Sequence, residues 1–206
     1  MTDVTALRLQ VEGDLSSLPD HNFGSTSLGW WGVVGFMLIE GMGFVLAIGA
    51  YYYLLHNEQH WPPLGPPPPL LWPTLLLALG VASEVPNQWL KKRAQHYDLA
   101  AVRFGLVLMT LAGVAMIALR GFEFAAMNVR WYDHAYGSIV WAILALHTLH
   151  LVTDVFDTGV LATLSFVKEF DGRKFSDVAD NALYWHFIVW SWAVLYLVVY
   201  WTPRWL

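Results

Sequence analysis

A small set of polar residues lies inside long apolar stretches of this sequence, and these residues are the candidates for chemistry. They are Glu40, Glu123, His147, His150, Asp154 and His186. Lipid cannot satisfy the hydrogen bonds of an ionisable group, so such side chains normally face protein and serve a function or a tertiary contact. Carboxyl and imidazole groups in that setting can exchange protons, bond neighbouring helices, or ligate a metal or haem.

His147, His150, Asp154 and Asp157 follow one another at i, i+3, i+7 and i+10. This spacing puts all four on one side of a helix, so we expect the stripe to face protein rather than lipid. One helix cannot complete the ligand shell of a metal or haem, which would need matching residues from another helix. Hydrogen bonding between helices is therefore the favoured interpretation, and ligation is the alternative.

Glu40 is deep for a carboxyl group, about 12 Å below the start of its apolar stretch at the rise of an α-helix. Small residues that allow a neighbouring helix to approach surround it. They are Gly35, Gly41, Gly43 and Gly49. Glu40 is then either a neutral carboxyl bonded to a backbone or hydroxyl group, or a protonatable group tied to a proton-conducting partner.

Three further polar residues stand at the outer end of the third apolar stretch and inside the last one. Arg120 and Glu123 stand three residues apart and are spaced to form an ion pair. We interpret this pair as an anchor close to water, worth about 1 kcal/mol or less. His186 stands among aromatic residues within 182–201, and we expect it to face the protein interior.

The composition indicates the elements that must position these residues. Charged residues make up 13% of the chain and hydrophobic residues 57%, with 12 Trp and 9 Tyr of the kind that form interfacial belts. Runs of about 20 apolar residues predict membrane-crossing helices. They cover residues 31–55, 70–90, 99–119, 136–164 and 182–201. We therefore predict an all-α polytopic membrane bundle of five transmembrane helices in one domain, 29–206, after a tail at 1–28.

The charges predict the orientation of this bundle and exclude one class of partner. Eight of the 11 Lys and Arg residues fall in the tail and at the ends that share its side of the membrane. The positive-inside rule then places the N-terminus in the cytoplasm and the C-terminus outside. A net charge of −5 without a long basic run argues against a nucleic-acid partner. The absence of cysteine excludes disulfides, iron–sulfur clusters, thiolate-bound copper and covalently attached haem.

Several short motifs occur in an order that resembles subunit III of the haem-copper terminal oxidases, in particular the form found in bacterial cytochrome c oxidases. They are Phe36-Met37-Leu38-Ile39-Glu40, Trp61-Pro62-Pro63, Glu123, Tyr136-Gly137-Ser138, His147-Thr148-Leu149-His150, and Tyr184-Trp185-His186-Phe187 followed by Trp192. Each motif alone is weak. Their order across five apolar stretches makes the resemblance specific.

The resemblance implies a bacterial inner-membrane subunit equivalent to the last five of the seven helices in longer members. It implies no catalytic site, haem or copper in this chain, since those belong to partner subunits. The partners implied are the catalytic subunit I, subunit II and membrane phospholipids, with roles in assembly, lipid binding and proton uptake during oxygen reduction. The family's positions correspond here to Glu40, Glu123, His147, His150 and His186.

The sequence also departs from the family pattern and leaves two other functions open. Val189 stands where the family usually has Asp, and Asp154 where it commonly has Gly. One hypothesis is that a carboxylate has moved between neighbouring helices. The alternative functions are a b-type haem membrane anchor, with His147 or His150 opposite His186, and a small proton-coupled transporter built on Glu40 and Asp154.

Overall fold

The computed structural model describes residues 23–58, 60–63, 65–167 and 170–205, and all regular structure within them is helical. The long helices are α1 Leu28–Asn57, α2 Leu71–Gln95, α3 Leu99–Ala126, α4 Ala135–Val167 and α5 Gly172–Tyr196. A π-helical turn, Leu197–Trp201, connects α5 to the short α6, Thr202–Trp205, and a 3-10 turn, Gly24–Thr26, precedes α1. The all-α prediction is confirmed for these residues. The predicted tail lies largely outside them.

Each predicted apolar stretch lies almost entirely within one helical run, and the last differs most from its prediction. α5 begins at Gly172, ten residues before the predicted start at 182. Its first turn is capped by Asp171, whose carboxyl oxygen accepts a hydrogen bond from the backbone N–H of Lys174 at 3.2 Å. The first ten residues of α5 carry several charges, so an apolar run could not reveal that they are helical.

Four helical runs are long and apolar enough to cross a membrane. They are Leu28–Asn57, Leu99–Ala126, Ala135–Val167 and Gly172–Trp205. α2 is 25 residues long but less apolar, because it contains Glu84, Asn87 and the basic residues 91–93. The structure therefore supports a polytopic helical membrane bundle, and composition alone does not mark α2 as a span.

The helices α2, α3, α4 and α5 pack around a shared core, and α1 lies against α4 and α5 on one side. Small residues set the closest approaches between these helices. A Cβ atom added at Gly80 of α2 would lie 3.3 Å from Met116 and 3.6 Å from Val189. One added at Gly113 of α3 would collide with Val155 of α4. These contacts hold fixed the rotation of each helix and hence the direction of its polar side chains.

The proline-rich connection between α1 and α2 closes one end of the bundle. Trp61 is buried and donates its indole N–H to the Tyr51 hydroxyl at 2.8 Å. The carbonyl of Pro66 accepts from the Asn128 amide at 2.7 Å, and the carbonyl of Pro68 accepts from Arg204. The proline run is not helical, so the carbonyl groups of Pro66 and Pro68 are available to join this loop to the α3–α4 connection and to α6.

Candidate functional site

Glu40 lies where α1, α4 and α5 meet, and its carboxyl group has a partner on each of the other two helices. The Tyr184 hydroxyl donates to Oε2 at 2.5 Å. Nε2 of His150 lies 3.2 Å from Oε1. We call Glu40, His150 and Tyr184 the Glu40 cluster. The ring of Phe44 packs beside it, with its centroid 5.0 Å from that of His150.

The ring of His150 lies between a backbone carbonyl and the Glu40 carboxyl group. Nδ1 of His150 lies 2.6 Å from the carbonyl oxygen of Leu146, which can only accept, so Nδ1 carries a hydrogen. Nε2 of the ring faces Oε1 of Glu40 at 3.2 Å. Glu40 and His150 therefore place two groups that can each hold a proton in direct contact.

A second polar cluster joins α3, α4, α5 and the π-helical turn. We call it the Arg120 cluster, and its members are Arg120, Glu123, His147, Trp192 and Tyr200. The guanidinium of Arg120 donates to Glu123 Oε2 at 2.7 Å and to His147 Nδ1 at 2.9 Å, and its Cζ lies 3.9 Å from the Trp192 ring centroid. The Tyr200 hydroxyl donates to Glu123 Oε1. The π-helical turn thus brings a hydroxyl to the second carboxyl oxygen.

The expectation that Arg120 and Glu123 anchor the chain near water is wrong, although they do pair. The side chain of Arg120 is 1% exposed and that of Glu123 is 2% exposed. α4, α5 and the π-helical turn enclose the C-terminal part of α3, which the sequence of α3 alone does not reveal. A buried pair is tolerated when further hydrogen bonds satisfy its other donors and acceptors, and His147 and Tyr200 supply two such bonds here. Nε of Arg120 has no hydrogen-bond partner among the described residues.

The contacts of His147 define its tautomer. Arginine only donates, so Nδ1 accepts from Arg120, and Nε2–H donates to the carbonyl of Ile188 at 3.1 Å. The ring is held neutral, with both nitrogens engaged by protein. His186 pairs with Glu84 rather than facing His147 or His150. The opposed histidines needed by a haem anchor are therefore not brought together, and the described residues contain no group of three or more acidic, histidine or cysteine side chains placed to hold a metal.

Asp154 is buried between α4 and α5, beside the Glu40 cluster. Its Oδ1 accepts from the Asn181 amide at 2.9 Å, and Thr158 donates to the Asn181 carbonyl oxygen at 3.1 Å. Its Oδ2 has no hydrogen-bond partner among the described residues. Asp154 also lines a cavity of about 400 Å³ between α1, α4 and α5. Other lining residues are Asp157, Asp177, Asp180, Asn181 and Tyr184.

The predicted stripe on α4 faces protein for three of its four members. His147, His150 and Asp154 are buried, whereas Asp157 is exposed. The expectation for Asp157 is wrong because the cavity opens beside it, where α1 and α5 do not close over α4. This opening places a solvent-accessible carboxylate next to a buried one.

His186 lies on the outer surface of the bundle, so the expectation that it faces the interior is also wrong. Its Nδ1 lies 2.9 Å from Oε2 of Glu84 on α2, and its side chain is 46% exposed. α5 turns Trp185, Val189 and Trp192 into the core. One residue along a helix rotates by about 100°, which carries His186 out of that face.

The sequence profile of the cytochrome c oxidase subunit III family matches residues 10–204. The chain belongs to this family. Similar proteins include cytochrome c oxidase subunit 3 of Drosophila yakuba at 25% identity and of Xenopus laevis at 29% identity. Each alignment covers 83% of this chain and 68% of the relative. Membership makes the chain an accessory subunit III of a haem-copper oxidase.

The structure also locates the two departures from the family pattern. Val189 lies against Gly80 in the contact between α5 and α2, whereas Asp154 bonds to Asn181 in the contact between α4 and α5. Val189 and Asp154 therefore lie in different helix contacts, and the hypothesis of a carboxylate moved between neighbouring helices stays a prediction.

Some hydrogen-bond partners of these polar residues were not among the residues singled out from the sequence. Tyr200 and Asn181 complete the hydrogen bonds of Glu123 and Asp154. Tyr184 was noted only as part of a motif, yet it bonds Glu40 directly. The sequence did contain a sign of their importance, because each places a hydroxyl or amide group within an apolar helix. Such a group needs a hydrogen-bond partner when lipid surrounds the protein.

Proposed function

We propose that this accessory subunit supports proton uptake by the catalytic subunit of its oxidase, and that the Glu40 cluster is where it does so. The observation that carries the proposal is the contact of the Glu40 carboxyl group with the His150 ring at 3.2 Å and with the Tyr184 hydroxyl at 2.5 Å. A carboxyl beside an imidazole offers a proton two adjacent sites, so the pair can accept and release one with little rearrangement. Assembly and phospholipid binding are further roles that family membership supports.

The route to this cluster begins at the cavity between α1, α4 and α5. Asp157, Asp177 and Asp180 line it, and carboxylates at an entrance raise the local concentration of protons. Tyr184 lines the same cavity and donates to Glu40, so its hydroxyl can accept a hydrogen bond from cavity water while giving one to the carboxyl. Tyr184 is therefore the proposed link between water and the Glu40–His150 pair.

The proposed setting is the cytoplasmic membrane of a bacterium, with the N-terminus inside and the C-terminus outside. α2 is the proposed fifth span, because it is long enough to cross and packs between α3 and α5. In this arrangement the cavity opens toward the cytoplasm, since it lies near the beginnings of α1 and α5. The partners are subunits I and II, which carry the haem and copper, and membrane phospholipids.

The test is Glu40→Gln in the assembled oxidase, with Glu58→Gln at the exposed end of α1 as the matched control. Glutamine preserves the shape and can still accept from Tyr184, so assembly and the haem spectrum should match wild type. Glutamine cannot exchange a proton with His150, so proton uptake should slow or the active lifetime during turnover should shorten. The control should match wild type in every measurement.

Equal turnover, proton stoichiometry and lifetime in the Glu40→Gln oxidase would reduce Glu40 to a packing residue. The two alternatives have their own signatures. A haem absorption band in the isolated chain would favour the membrane anchor. A stable, solitary and transport-active chain would favour the transporter.

A further inference from the structure

A hydrogen bond joins α4 and α5 about one helical turn away from the Glu40 cluster. The Asn181 amide on α5 donates to Oδ1 of Asp154 on α4 at 2.9 Å. Asp154 follows His150 by four residues, and Asn181 precedes Tyr184 by three. Because one helical turn takes 3.6 residues, each helix presents both of its residues on the same side. The bond therefore lies directly beside the two residues that contact Glu40.

A second bond joins the same helices on the opposite side of the Glu40 cluster. Nε2–H of His147 on α4 donates to the carbonyl of Ile188 on α5 at 3.1 Å. His147 precedes His150 by three residues, and Ile188 follows Tyr184 by four. α4 and α5 are thus joined by hydrogen bonds before and after the Glu40 cluster. The bond from the Asn181 amide is the one on the cavity side, where α1 does not close over α4.

Thr158 orients the Asn181 amide toward Asp154. Its hydroxyl donates to the amide oxygen of Asn181 at 3.1 Å, which leaves the amide N–H directed at the carboxyl group. The other carboxyl oxygen, Oδ2 of Asp154, is buried and has no hydrogen-bond partner among the described residues. Loss of the amide would therefore leave both oxygens of a buried carboxyl group without a partner.

Stability alone does not explain a polar pair at this contact. Apolar side chains pack two helices together at least as well as a polar pair that keeps one buried oxygen unsatisfied. A hydrogen bond instead fixes the relative position of the helices, because its length and direction tolerate little displacement. At this contact the relative position of α4 and α5 decides the separation of His150 and Tyr184, which both contact Glu40.

We propose that Asp154 and Asn181 are positioning residues, which hold α4 and α5 so that His150 and Tyr184 contact Glu40 together. The assignment deepens the proposed role of this subunit in proton uptake and rests on it. Asp154 acts here as a hydrogen-bond acceptor rather than as an acid. An amide oxygen accepts a hydrogen bond as a carboxyl oxygen does, so the assignment makes a distinct prediction for each substitution.

Asn181→Leu in the assembled oxidase removes the donor and keeps a side chain of similar size. Proton uptake should become about fivefold slower, the factor that corresponds to one lost hydrogen bond. Asn57→Leu is the matched control, because Asn57 lies at the exposed end of α1, and this variant should match wild type. Wild-type proton uptake in the Asn181→Leu oxidase would overturn the proposal.

Exchange of the two side chains separates a lost hydrogen bond from a damaged fold. Asn181→Asp alone brings two carboxyl groups together without the amide donor and should slow proton uptake. Combined with Asp154→Asn, it restores one amide and one carboxyl group in reversed order, so the double variant should recover the wild-type rate. Asp154→Asn alone keeps an acceptor for Asn181 and should also match wild type. A slow double variant would contradict the positioning role, and a slow Asp154→Asn variant would show that the acid itself is needed.

The Glu40→Gln background separates positioning from a general structural role. A residue that acts through Glu40 should have no further effect once Glu40 cannot exchange a proton, so Asn181→Leu should slow uptake no more in this background. Equal slowing by Asn181→Leu in the wild-type and Glu40→Gln backgrounds would overturn the assignment, because the bond would then act on the subunit independently of Glu40.

These outcomes also separate the inference from the proposed function. If Glu40→Gln matches wild type in proton uptake, the proposed function fails and the positioning role fails with it. If Glu40→Gln slows proton uptake and Asn181→Leu does not, the proposed function stands and only the positioning role fails.

Discussion

Burial of the Arg120 charge is costly, and the neighbours of this residue offset the cost. Glu123 neutralises its charge, His147 accepts a second hydrogen bond, and Trp192 lies under the guanidinium. Such clusters respond unequally to substitution. Removing one partner leaves an uncompensated buried charge, while removing both charges leaves mainly a packing defect.

This inequality gives a prediction about two variants. Glu123→Leu should destabilise the protein by about 3–5 kcal/mol, because Arg120 keeps its charge without a counter-ion. The double variant Arg120→Met with Glu123→Leu should recover part of that loss. Thermal unfolding of the purified oxidase, followed through the retention of this subunit, measures both. A double variant less stable than the single one would mean that the guanidinium contributes through other contacts.

The helices themselves depend on close approach at particular glycines. Gly113 of α3 lies against Val155 and Trp185, whereas Gly121 of the same helix has no neighbouring atom within 4 Å of an added Cβ. Gly113→Ala should therefore overpack the contact between α3 and α4 and cost about 1–3 kcal/mol. Gly121→Ala is the matched control and should be neutral or slightly stabilising, since alanine favours a helix. The melting temperatures of the two variants are compared. Equal values would show that α3 and α4 move apart to accommodate the added methyl group at no cost in stability.

The sequence predicted which residues lie on helices better than it predicted their partners. The spacing of His147, His150 and Asp154 predicted that they share one side of α4. This prediction succeeds because the period of a helix depends only on the local sequence. The burial of Arg120 was missed because it depends on how α5 and the π-helical turn cross α3. The exposure of His186 was missed for the same reason, since the core contacts of α5 decide its rotation. Partner identity is a tertiary property that no single stretch encodes.

The whole molecule is expected to cross the membrane five times, and α2 is the helix on which that count depends. Fusions after Pro69 and after Leu206 should report an external location, and fusions after Lys92 and after Lys174 a cytoplasmic one. Each position is fused in turn to a reporter that is active only outside the membrane and to a reporter that is fluorescent only inside. The two fusions at one position should give opposite results, so each serves as the control for the other. The same location for the fusions after Pro69 and Lys92 would show that α2 does not cross.

The neutral tautomer of His147 has a consequence for a protein that works in an energised membrane. A transmembrane voltage acts on net charge, with about 2.3 kcal/mol for each elementary charge carried across 100 mV. The Arg120 cluster contains one cation and one anion only three residues apart on the same helix, and His147 adds none. Its charges sum to zero at nearly one depth. The voltage across the membrane therefore exerts almost no net force on this buried cluster as the oxidase turns over.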